Sequence, residues 1–211
     1  MAKSAKRNAA VRKRPRAAKQ DMWVALQPGA ANYAPLSPVG FLARAAEIYP
    51  DRVAVIHGAK QISYAKFYER SRRLASALAK KGVKKGSVVS ALLPNVPAML
   101  EAHYAVPGLG AVLNTINTRL DADTVAYILE HGEAKVFITD RVFAGVVGPA
   151  LAKLKRKPSV IDVNDPLYTG PGERVGAVEY EAFIKSGDPS FPLKLPKNES
   201  DPIALNYTSG T

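Results

Sequence analysis

The chain has 211 residues, 30 Lys+Arg against 18 Asp+Glu, a net charge of +12 and no cysteine. The lack of cysteine excludes disulfides, thiolate metal sites and a cysteine nucleophile, and no run approaches the roughly 18 consecutive apolar residues that a membrane span needs. A chain of this length should bury roughly 70% of its unfolded surface, enough for a hydrophobic core.

The basic surplus invites a nucleic-acid reading. Residues 1 to 20, however, hold eight basic residues and no acidic one, which leaves 22 basic against 18 acidic residues, a surplus of +4, in the remainder. That segment reads as a disordered, self-repelling extension or as a nonspecific phosphate-binding arm. It lacks the apolar core of a secretory leader, and with one Ser and almost no large apolar side chain it departs from a transit peptide, so the compartment expected is the cytoplasm.

From Ser37 the sequence is patterned. Phe41, Leu42, Ala45 and Ile48 recur at helical spacing and Pro50 closes the segment. Val53 to His57, a turn at Gly58-Ala59 and a return over Gln61 to Ser63 predict a hairpin. Ser63 then caps a long helix with Phe67, Leu74 and Leu78 on its apolar face and Gly82 at its end; Lys66, Arg70, Arg73 and Lys80 read as its solvated face.

Strand and helix alternate after it. Val88 to Leu93 reads as a strand buried on both faces, Pro97 as the first turn of a helix through Val106, and Ala111 to Ile116 as a strand. Asp121 or Asp123 caps a helix ending at Gly132, followed by a strand over Lys135 to Thr139, a helix from about Val142 to Leu154 and a strand over Val160 to Val163. This interval is that of right-handed βαβ units, so the fold class expected is α/β, a doubly wound, mostly parallel sheet with flanking helices. Seven of the 16 prolines lie between Pro158 and Pro202, where a short helix near Glu179 to Ile184 is the regular element expected.

Ile203 to Tyr207 forms a last strand, followed by Thr208-Ser209-Gly210-Thr211. Gly allows close approach of the main chain and the small hydroxyl residues do not block it, so such a loop can present N–H and O–H groups to a phosphate; the same composition also serves turns. The sequence stops inside what reads as a loop, which leads us to expect truncation. The remaining polar residues take plainer readings. Asn117 and Arg119 bond loop backbone, or contact a substrate or CoA. His57, His103 and His131 have no pairing suited to a metal, His131 complements a helix carboxyl end, and His103 packs on its own helix.

Tyr207-Thr208-Ser209-Gly210-Thr211 resembles the opening half of the Tyr-Thr-Ser-Gly-Thr-Thr-Gly phosphate loop of the adenylate-forming (acyl-CoA synthetase, AMP-binding) superfamily. In order along the chain, Pro38-Val39-Gly40-Phe41-Leu42, Tyr49-Pro50-Asp51-Arg52, Leu74-Ala75-Ser76-Ala77-Leu78 and Gly82-Val83-Lys84-Lys85-Gly86 are similar to the amino-terminal part of that family. Leu93-Pro94-Asn95-Val96-Pro97-Ala98-Met99 and the run from Gly110 to Leu120 resemble the branch of plant acyl-activating enzymes and bacterial medium-chain or methylmercaptopropionate CoA ligases.

Composition assigns a basic, disordered tail to residues 1 to 26, and the resemblance implies a partial AMP-binding domain over residues 27 to 211. It implies ATP, Mg2+ and coenzyme A, with a small carboxylic acid as substrate, no specific nucleic acid, and a homodimer left open. Thr208, Ser209, Gly210 and Thr211 would hold the ATP phosphates as positioning and electrostatic groups. The loop's Lys, the magnesium-supporting Glu, the adenosine-binding Asp and the catalytic Lys of the lid have no counterpart in the 211 residues, so no catalytic or metal-ligating residue is assigned and the fragment alone is expected to be inactive. Gly108 replaces the Met usual in relatives and is expected to loosen packing there. Two other readings stay open: a basic-tailed α/β module that binds nucleic acid or acidic surfaces, and a nonfunctional product of an incomplete gene.

Overall fold

A computed structural model describes Gln27, Gly29 and residues 32 to 208. The expected tail, residues 1 to 26, lies outside the described residues. Backbone contacts divide the chain into Met1–Ala34 and Pro35–Thr211. In the first unit Gly29 N–H donates to Asn32 Oδ1 at 2.7 Å; the second holds all the helices and strands described.

Helix α1 (Val39–Ile48) comes first. It buries Val39 and Leu42, whereas Phe41 and Ile48 are exposed. The expected helix is present but its inward face is turned by about one residue. Strands β1 (Val53–His57) and β2 (Lys60–Ser63) pair antiparallel around Gly58, which adopts φ +58°, a value that L side chains rarely take. Leu42, Val55, Ile62 and Phe67 join α1, the hairpin and the next helix in a small core of their own.

Helix α2 (Tyr64–Lys80) starts where Ser63 Oγ accepts the Lys66 N–H. It ends where Gly82 (φ +78°) lets Val83 N–H reach the Leu78 carbonyl. The alternating part then follows: β3 (Val88–Leu92), α3 (Pro97–Ala105), β4 (Val112–Thr115), α4 (Ala122–His131), β5 (Ala134–Asp140), α5 (Ala144–Lys153), β6 (Ser159–Val163), β7 (Val178–Glu179), α6 (Tyr180–Lys185) and β8 (Ala204–Leu205). A 3-10 turn, Arg141–Phe143, occupies what the sequence reads as the start of α5, because Asp140 Oδ1 accepts the Val142 N–H and tightens the chain there.

The six-stranded sheet runs β7-β6-β5-β3-β4-β8 and every pairing in it is parallel. Side-chain alternation along the strands explains the two helical layers. Val89, Ala91, Val136, Ile138 and Ile161 face Leu74, Leu78, Ala98, Ala102 and Phe183 of α2, α3 and α6. Leu92 and Phe137 face Val125, Ile128, Val147 and Leu151 of α4 and α5. The doubly wound architecture expected from the sequence is therefore present. Gly108 leaves no gap: a Cβ there would sit 2.8 Å from Leu193 Cδ2, so the leucine already fills the space that the expected loosening assumed.

Candidate functional site

In a parallel sheet the carboxyl ends of the strands share one edge, where ligands of open α/β folds bind. Strand β8 pairs with β4 through Leu113–Ala204 and Asn114–Leu205, so residues 206 to 208 leave the sheet at that edge beside Thr115. The strand expected over Ile203 to Tyr207 is shorter, with only Ala204–Leu205 laddered to β4 and the Ile203 carbonyl accepting the Leu113 N–H. Thr208 is exposed; Ser209, Gly210 and Thr211 lie outside the described residues. Thr115 Oγ1 lies 3.5 Å from Asn206 Oδ1. Asn117 Oδ1 accepts the Arg119 N–H at 3.0 Å, the loop-bonding role read for this pair.

Tyr207 turns its ring onto the end of α4. Its hydroxyl shares a 2.7 Å hydrogen bond with His131 Nδ1, and its ring meets those of His131 and Tyr127 edge-on, with centroids 5.8 and 6.3 Å away. His131 is itself stacked on Tyr127 at 5.2 Å. Burial, helped by Tyr127, pushes the Tyr207 phenol above its ordinary pKa of 10.0, so it is neutral at physiological pH. A sequence reading that assigns His131 to the helix end misses this contact, since nothing local links positions 76 residues apart.

An apolar groove of about 430 Å³ adjoins the same edge, with Leu100, Tyr104, Leu113 and Ile203 in its walls and Asn206 at its rim. His103 also lines it and bonds the Met99 carbonyl of its own helix, as expected. Asp121, not Asp123, caps α4 by accepting the Thr124 N–H at 2.8 Å; Asp123 pairs with Lys153.

A second set of ionisable groups lies at the carboxyl ends of β3, β6 and β7. Glu101 on α3 is fully buried. Arg70 on α2 donates to it from Nε at 2.5 Å, and the Tyr180 hydroxyl donates to it at 2.6 Å. Arg70 also bonds Glu181 through Nη1 at 2.9 Å and Nη2 at 2.6 Å. The expectation that Arg70 belongs to the solvated face of α2 is thus wrong: it is 8% exposed. The spacing carried the signal, because Arg70 lies three residues after Phe67 and four before Leu74 on the apolar stripe, and Glu101 lies among Ala98, Ala102 and Ala105.

Burial raises the Glu101 carboxyl pKa against the opposing pull of Arg70 and Tyr180. The bond to Arg70 lowers that of Glu181, and burial followed by Glu101 raises the Tyr180 phenol well above its ordinary range. Beside this cluster His57 Nε2 and Asp165 Oδ1 are 2.8 Å apart, tying the hairpin to the loop after β6. The Asp140 carboxyl at the end of β5 is raised by burial, and its Oδ2 has no hydrogen-bond partner. These acids are dispersed: no group of three or more His, Cys, Asp or Glu side chains among the described residues could hold a metal ion. Among the described residues no helix is long and apolar enough to cross a membrane.

Chemically, the loop edge offers an exposed hydroxyl residue, Thr208, next to an apolar groove, whereas the Arg70 cluster has its donors already committed to carboxylates. The loop edge is therefore the candidate site. The model of the family described as AMP-binding enzyme matches residues 42–211. The peroxisomal acetate/butyrate–CoA ligase of Arabidopsis thaliana is 43% identical over 192 residues, covering 86% of this chain and 34% of that protein. The acetate–CoA ligase of Humulus lupulus is 42% identical over 197 residues, with 88% and 35% covered. The peroxisomal trans-cinnamate:CoA ligase of Petunia hybrida is 40% identical over 195 residues, with 86% and 34% covered. The chain thus spans about a third of the length of these relatives. Among solved structures, an anthranilate CoA ligase in complex with anthranoyl-AMP superposes with a TM-score of 0.71 at 21% identity, over 87% of this chain and 34% of that one, which establishes the shared fold.

Proposed function

Because the chain belongs to the family of AMP-binding enzymes, we propose that it is the amino-terminal portion of an ATP-dependent acyl-CoA ligase acting on a short- or medium-chain or aryl carboxylic acid. The observation that carries this reading is the match to the family model, which runs through the β8 edge and the 208 to 211 segment. The names of the acetate/butyrate, acetate and trans-cinnamate ligases support the class of acid.

A carboxylate is a poor electrophile. In the first step its oxygen attacks the α-phosphorus of ATP, the bond to the pyrophosphate oxygen breaks, and an acyl-adenylate forms. In the second the thiol sulfur of coenzyme A attacks the acyl carbon, AMP departs and the thiol proton goes to solvent or a base. The contribution proposed for this chain is electrostatic. Thr208, with Ser209, Gly210 and Thr211, would direct hydroxyl and N–H donors at the β- and γ-phosphates, where negative charge grows as pyrophosphate leaves. Magnesium would neutralise the same charge when bound.

The 211 residues alone are proposed to carry out neither step, since the Lys, Glu and Asp that the family uses have no counterpart in them. The test joins this chain to the remaining two-thirds of the acetate/butyrate–CoA ligase and measures pyrophosphate release across a panel of acids. Release that requires ATP and an acid is expected. No release with any acid, from a folded hybrid, would refute the assignment.

A further inference from the structure

We propose that His131 is a positioning residue for the phosphate loop: through the Tyr207 hydroxyl it fixes the backbone from which Thr208 projects. The inference rests on the reading of residues 208 to 211 as a phosphate loop. Strand β8 holds its segment by a ladder of two residues, and the last laddered pair is Asn114–Leu205. Tyr207 lies two residues farther on and adjoins Thr208, so its side chain is the anchor nearest to the loop.

That anchor meets a rigid wall. Val125, Ile128 and Leu129 are buried against the sheet, which sets the place of the carboxyl end of α4 and of His131 on it. Tyr127 stacks on the imidazole at 5.2 Å with an interplanar angle of 18° and restrains its rotation. The 2.7 Å bond from His131 Nδ1 and the edge-on ring contacts then fix the phenol in both position and orientation. Gly132 completes the seat, since a Cβ there would stand 3.3 Å from the Tyr207 hydroxyl and 2.8 Å from the Ile128 carbonyl. A Cβ at 132 would oblige the phenol oxygen to give by a few tenths of an ångström.

The competing account is that His131 only complements the negative end of the helix dipole. The two roles demand different chemistry. A helix-end role needs a cation and tolerates lysine; a positioning role needs a planar hydrogen-bonding group and tolerates glutamine.

The experiment uses the 211-residue chain and reads hydrogen exchange of the Tyr207 and Thr208 amides by NMR, with the Val136 and Ile138 amides of β5 reporting global stability. The His131–Tyr207 bond is open to solvent, and loss of one such intramolecular hydrogen bond corresponds to roughly a twofold to tenfold change, so His131→Leu and Tyr207→Phe should each accelerate local exchange by about that factor. The double variant should do no more than either alone. His131→Gln should restore slow exchange and His131→Lys should not. Unchanged exchange in both single variants, additive effects, or rescue by lysine but not glutamine would overturn the positioning role. A parallel titration with inorganic pyrophosphate should shift the Thr208 amide in the wild-type chain and shift it less in His131→Leu. Coupled exchange without any pyrophosphate shift would mean that His131 orders a segment with no affinity for phosphate, which removes the loop reading and the proposal with it.

Discussion

Replacing Arg70 by methionine keeps much of the side-chain volume and removes the charge. Glu101, fully buried, then loses the guanidinium whose Nε lies 2.5 Å away and keeps only the Tyr180 hydroxyl. Removing one partner of a buried ion pair typically costs about 3–5 kcal/mol. Proton uptake limits the loss: carrying a glutamate of ordinary pKa 4.5 in its neutral form at pH 7 costs roughly 3 kcal/mol, at 1.36 kcal/mol per pH unit. The expected loss is therefore about 3 kcal/mol at pH 7, which in a domain of this size lowers Tm by roughly 6–12 °C.

The pH dependence has a definite sign. The folded-state pKa of Glu101 lies above its unfolded value already in the wild type and rises further without Arg70. Stability from protonated Glu101 is fully present below 4.5 and is lost as pH rises through the folded pKa, so the deficit of Arg70→Met shrinks on acidification. Urea unfolding of wild type, Arg70→Met and Arg70→Met/Glu101→Gln between pH 7.5 and 5 checks this. The double variant, which keeps an acceptor for Tyr180, should recover most of the loss and show little pH dependence. A deficit below about 1 kcal/mol, or one independent of pH, would place Glu101 in contact with water and refute the reasoning.

Gly187→Ala would place a Cβ 2.0 Å from the Arg73 carbonyl oxygen, a backbone atom that cannot step aside cheaply. A loss of about 1–3 kcal/mol is expected in urea unfolding, and a neutral result would show that α6 is not pressed against α2 there. Deleting residues 1 to 20 removes eight positive charges. Binding of the chain to a nonspecific polyanion such as heparin should be salt-sensitive and vanish with the deletion; binding that survives would locate the basic site in the folded part.

The alternating pattern from Val88 onward made the parallel sheet legible, because strands buried on both faces and helices with caps leave distinct periods in the sequence. Ser63, Pro97, Asp121 and Gly132 mark helix boundaries through local chemistry, and the structure places them there. What stayed illegible is non-local. Arg70 and Glu101 are 31 residues apart and Arg70 and Glu181 are 111 apart, so no window reveals that a charged residue on an apolar stripe has a buried partner. Tyr207 and His131 are the same case at the candidate site. Thr208 could be singled out because the loop pattern that suggests the role proposed for it lies in consecutive residues; the group that bonds its neighbour Tyr207 could not.

The adenylation step itself is the direct test of the ligase reading. In the hybrid carrying these 211 residues, exchange of labelled pyrophosphate into ATP should require a carboxylic acid, need no coenzyme A, and fall when Thr208 is replaced by valine. Exchange that proceeds without acid, or release of orthophosphate in place of pyrophosphate, would contradict attack of a carboxylate on the α-phosphorus.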